Sequence, residues 1–170
     1  NPDALSAMGT AQIVSFSTSQ AAALTGTQIA KLTTAQIANI ETADLVAIQP
    51  VAIKSLNAAQ MKALTTSQVA KLVTAQLAAL TGTQLAAMET ADLSTLALSS
   101  EQVGALSNTQ LVSLSSDQKA IINNSMAASQ VAGYLVGTLT TADLKNISAT
   151  TLQGWSAQQA AGLQVSQITG

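Results

Sequence analysis

Cysteine and histidine are absent from the 170 residues, and Phe16, Tyr134 and Trp155 are the whole aromatic complement. The first two absences exclude disulfides, thiolate chemistry, zinc fingers and any histidine general base. Charge is scarce as well, at 8 % of residues with a formal net charge of −2, where ordinary domains carry about a quarter. No basic run exists, so no field is available to hold phosphates, and no nucleic-acid partner is expected. Apolar runs stay well below the roughly 18 residues of a membrane span, so no membrane insertion is expected. Gly-rich phosphate loops, nucleophile elbows and metal motifs are missing too. The expectation is a chain with no catalytic residue, no cofactor and no metal.

What fills the chain is one pattern of eight residues, clearest in Leu24–Ala47, which reads LTGTQIAK, LTTAQIAN, IETADLVA. With octad positions named a to h, a is Leu24 or Leu32, b is Thr33, e is Gln36 and f is Ile37. Position a recurs every eighth residue from Met8 and Phe16 through Leu24, Leu32, Leu64, Leu72 and Leu80 to Leu96. Thr33 and Gln36 stand as T-x-x-Q, a capping box in which each side chain satisfies the other's backbone N–H. Thr65 with Gln68 and Thr81 with Gln84 repeat it. Leu32 before the cap and Ile37 inside the helix are spaced for a hydrophobic staple.

A single continuous helix is excluded by geometry. At about 100° per residue the apolar stripe would drift by roughly 80° each octad and leave no buried face. A β-solenoid requires alternation, whereas a and f are five and then three residues apart. The reading is therefore all-α: an α-solenoid of very short capped helices, one per octad, each too short to persist without neighbours. Positions a and f, including Phe16, Leu24, Leu32, Ile37, Leu64, Leu72, Leu80 and Trp155, form the repeat core, and b to e form a polar capping ridge. The number of octads per superhelical turn is left open. Residues 1–170 read as a single octapeptide-repeat solenoid with phase breaks near 97 and at 119–138, where an elaborated loop or bend is expected.

Two acidic pairs, Glu41 with Asp44 and Glu89 with Asp92, recur 48 residues apart in ETADL segments. They are read as helix-start substitutes, Asp standing for Gln, because two carboxylates without further oxygen donors make a poor calcium cage. Lys31, Lys54, Lys62, Lys71 and Lys145 fall at g or h, near helix C-termini, where the dipole favours cations.

The motif L-T-x-x-Q-[ILV]-A-x with interspersed E-T-A-D-L resembles the octapeptide-repeat regions of large bacterial surface or secreted adhesin-like proteins. That resemblance implies an extracellular, structural or adhesive role and carries no catalytic residues. The expected function is that of a self-associating filament subunit or an adhesin stalk, at the cell surface or outside it. The alternative is a solenoid module binding a peptide or glycan along its polar ridge. Because Asn1 falls at b and Gly170 at h, the expected partners are further copies stacked head to tail, or adjoining repeats of a parent protein.

Overall fold

The computed structural model describes residues 2–95, 102, 105–125, 139–147, 149–153 and 157–168. Every regular element among them is helical, and most are four to six residues long. The first three are α1 (Pro2–Ser6), α2 (Thr10–Val14) and α3 (Thr18–Ala22). Next come α4 (Gly26–Lys31), α5 (Thr34–Ala38) and α6 (Thr42–Ala47), then α7 (Pro50–Ile53), α8 (Ala58–Ala63) and α9 (Thr66–Val69). After α10 (Thr74–Ala79), α11 (Gly82–Ala87) and α12 (Thr90–Thr95) follow α13 (Asn108–Val112) and α14 (Ser116–Ser125). The last four are α15 (Thr141–Asn146), α16 (Ala149–Gln153), α17 (Ala157–Ala161) and α18 (Val165–Ile168).

From α4 to α12 each helix packs on the one three places before it, giving the series α1, α4, α7, α10, the series α2, α5, α8, α11 and the series α3, α6, α9, α12, and α13 packs on α11. Three octads therefore make one turn of the solenoid, and the helices stand in three columns. The third column continues from α12 through α14 and α15 to α18.

The breaks between helices are built at position a. Leu32, Ile48, Leu64, Leu80 and Met88 leave the helix with φ between −63° and −60° and ψ between 131° and 146°. The following b residue is extended again and caps the next helix, so two extended residues turn the chain without any positive φ among the described residues. Pro50 occupies the first helical position of α7, where its missing N–H has no intrahelical partner to lose.

The core is made by a and f. Leu24, Leu32, Ile37, Leu64, Leu72 and Leu80 are buried, and Phe16 packs partly buried against them. Trp155 and Tyr134 lie outside the described residues. Within the region expected to bend, residues 119–125 continue α14 as regular helix, because Ser115 and Gln118 re-form a cap ahead of them. Residues 126–138 lie outside the described residues.

The capping ridge is corrected in one respect. Positions b, c and d are largely open to solvent, but position e is largely interior beyond the first turn: Gln36, Gln60, Gln68, Gln76, Gln84, Gln110 and Gln118 are all buried, while Gln12 and Gln20 of the first turn are exposed. Eight residues thus contribute three inward side chains, e, f and a. The polar one has to be satisfied there.

Candidate functional site

The buried glutamines satisfy their amides in two directions. Within the octad, the b-position N–H donates to the glutamine Oε1, as from Thr33 to Gln36, Thr65 to Gln68 and Thr81 to Gln84, each at 2.8 Å. The Gln36, Gln68 and Gln84 backbone N–H groups donate back to the Thr33, Thr65 and Thr81 hydroxyls at 3.2–3.3 Å. The capping boxes of Thr33, Thr65 and Thr81 are thus closed on both sides. Where b is Val73 or Gly9 only the glutamine half exists, since neither side chain has an acceptor.

The other half of the amide acts between turns. Gln60 Nε2 donates to the carbonyls of Ile29 at 2.9 Å and Leu32 at 2.7 Å, which end the helix one turn earlier. Gln68 does the same to Ile37 and Ile40, and Gln76 to Leu45 and Ile48. The Ile29, Ile37 and Leu45 carbonyls also accept the backbone N–H three residues on, whereas those of Leu32, Ile40 and Ile48, just past the helix ends, receive their donor from the glutamine.

The two halves join into a chain. Leu32 C=O and Thr33 N–H belong to one peptide group; its carbonyl accepts from Gln60, and its N–H donates to Gln36. Gln36 Nε2 donates onward to Met8. In the second column the sequence Gln36, Gln60, Gln84, Gln110 links Met8, Leu32, Leu56 and Leu80 through alternating backbone and side-chain amides. The bond spans 28 residues up to Gln84 and 30 at Gln110, so the phase break near 97 appears as two extra residues inside an unchanged contact.

The third column departs from this. Its e positions are Gln20, Asp44, Gln68, Asp92, Gln118, Asp143 and Gln167 from turn to turn, so aspartate alternates with glutamine. The 48-residue recurrence of ETADL is two turns. An aspartate has no N–H to give, and each of the three copes differently. Asp92 Oδ1 accepts from the Thr66 hydroxyl of the turn beneath at 2.7 Å. Asp143 accepts from the Thr140 N–H and hydroxyl, and pairs with Lys119 Nζ at 3.3 Å. Burial works to raise the Asp143 carboxyl, but the Thr140 bonds and the Lys119 charge outweigh it and hold the group below the usual carboxylate range. Lys119 occupies an f position and is itself buried. A lysine at an otherwise apolar position, 24 residues before an aspartate at e, is the sequence signal for this pair.

Asp44 has none of these partners. It is 3 % exposed, and its Oδ2 is buried without a hydrogen bond. Burial first, and then the neighbouring Glu41 charge, push its carboxyl above the usual range. Glu41 caps α6 by position alone, with no side-chain bond. The expectation that Asp44 replaces glutamine as a helix-start partner is therefore corrected: with Glu41 at b no capping box forms, whereas Thr140 at b forms one with the equally short Asp143.

Among the described residues no group of three acidic or other metal-binding side chains occurs, and no helix is long and apolar enough to cross a membrane. No curated protein matches this chain, nor does any solved structure. The family model of the ALTTAQ repeat matches residues 3–34 and 37–74, which marks the first turns of the solenoid as a repeat region of that kind.

Proposed function

We propose that this chain is a structural spacer, an extracellular rod serving as an adhesin stalk or as the subunit of a filament, and not an enzyme. The observation that carries the reading is the chain of amides through successive turns. In the second column each turn offers the next the same carbonyls and receives the same glutamine Nε2, so length can be added there without new chemistry. Whether the next turn comes from the same chain or from another copy, the acceptors are identical. Solvent-facing b, c and d positions carry mainly Thr, Ser, Ala and Gly, which suits an uncommitted surface more than a ligand platform. The extracellular placement rests on the resemblance of the octad to surface-protein repeats.

Small-angle X-ray scattering over a concentration series tests this. A rod gives a radius of gyration clearly above the roughly 15 Å of a compact domain of this length, with a constant cross-section. End-to-end assembly lengthens the particle at that same cross-section as concentration rises. A compact particle of about 15 Å would end the spacer reading.

A further inference from the structure

We propose that Asp44 and Glu41 bind a calcium ion at the junction between α6 and the turn beneath it. At a glutamine position, Nε2 lies between the side chain and two carbonyls, 28 and 31 residues earlier. The same register places the carbonyls of Phe16 and Ile13 opposite Asp44. Both end α2, where the helix dipole favours positive charge. The site thus gathers oxygen acceptors without the side-chain amide donor that glutamine supplies elsewhere, and Asp44 Oδ2 is buried there without a hydrogen bond. Oxygen-only donors of this mixture are what a hard cation takes.

The other aspartates supply an internal control. At Asp143, whose Oδ1 is likewise buried without a hydrogen bond, Oδ2 meets an ammonium, Lys119 Nζ, in place of the missing N–H, and the b residue is the neutral Thr140. At Asp44 the f residue of the turn beneath is Ala21, smaller than the Ile, Leu, Val or Met of most other turns, and b is Glu41. The protein therefore provides a cation where one carboxylate stands, and provides space and a second negative charge where it does not. The charge to be balanced is that of two carboxylates, which selects a divalent ion over sodium. With no more than five protein oxygens, water completes the coordination and affinity is modest.

The test is thermal unfolding of the full chain, followed by circular dichroism in EDTA, in CaCl2 and in MgCl2. With calcium at about ten times a Kd of ~1 mM, Tm rises by about 3–6 °C over the chelated protein, and magnesium, which dehydrates reluctantly, does less. Asp44→Gln restores the repeat's own donor: its Tm in EDTA exceeds that of the wild type, and calcium no longer moves it. Asp44→Asn, equal in length and neutral, loses the calcium response as well. Isothermal titration with CaCl2 shows Glu41→Thr weakened at least tenfold. A wild-type Tm unchanged by calcium, but rising in EDTA as the solution is acidified, would show that a proton fills the site and overturn the proposal. So would a calcium shift that survives in both Asp44 variants.

Discussion

The second and third columns are made of the same octads on the same core, yet they tie their turns together differently. In the second column every turn from α5 to α13 is joined by a glutamine whose amide is satisfied at both ends. In the third column glutamine alternates with aspartate, and the amide chain is cut at every second turn. The difference shows that the octad itself is indifferent to what joins the turns. Capping and core packing shape each helix, while position e, with the residue that faces it from the turn beneath, decides whether two turns are held by a neutral amide, an ion pair or a hydroxyl.

Making the second kind of junction where the first belongs should cost most. Gln76→Glu leaves a buried carboxylate facing the carbonyls of Leu45 and Ile48. A loss of about 3–5 kcal/mol is expected in urea unfolding, and an unchanged midpoint would mean that Nε2 contributes nothing between turns. Removing the ammonium comes next. Lys119→Met strands Asp143 and should cost about 3 kcal/mol, while Lys119→Leu combined with Asp143→Gln rebuilds a glutamine junction and should recover most of it. If the double variant melts no higher than the single one, the two kinds of junction are not interchangeable.

Close approach between turns gives a smaller and graded pair of effects. A Cβ on Gly82 would lie 2.7 Å from Ser113 Cβ and 3.0 Å from the Thr109 carbonyl, neither of which can rotate away. At Gly26 the tightest contact is Ser55 Oγ at 2.3 Å, which can turn aside, with Ser55 Cβ at 3.2 Å. Gly82→Ala should therefore cost about 1–3 kcal/mol and Gly26→Ala less than about 1. Equal costs would show that the turns adjust as units.

The smallest effect is in pH, and the two aspartates act with opposite sign. Asp143 is held below its ordinary value of 3.8, so its contribution is present above 3.8 and is lost as pH falls through its folded value. Asp44 is raised above 3.8, so relative to an ordinary carboxyl it favours the fold below 3.8 and that advantage is lost as pH rises through its folded value. Thermal melts in EDTA should show Asp44→Gln flattening the second slope and Asp143→Asn the first. A single slope unaffected by either substitution would place the titration elsewhere.

The helices, their caps and their core were legible in the sequence because each depends on residues within one octad. Thr33 and Gln36 identify a helix start from their spacing alone, and Leu32 and Ile37 identify its buried side. The number of octads per turn was not legible, since no local spacing encodes it. Nor was the burial of Gln36, because the capping box already accounts for its Oε1 and gives no reason to look for a partner of Nε2 28 residues away. The six-octad recurrence of Glu41–Asp44 and Glu89–Asp92 did carry the number, as two turns of three, but only once the columns are known. Lys119 departs from the other lysines, which lie at g or h near helix C-termini, by standing at f, and no spacing within one octad points from it to Asp143, 24 residues on.

The direction of the amide chain has an electrical consequence. Every link in it points its C=O toward later turns and its N–H toward earlier ones, in the first and third columns as well as in the second. Their dipoles add, as they do along a single α-helix, and adjacent links polarise one another. The solenoid is therefore polar along its axis, with a donor face looking back and an acceptor face looking forward. Two such stacks meeting in the same direction would extend the field of each, whereas two meeting face to face would set like poles together. That axial polarity resides in the amides and is independent of any side-chain charge.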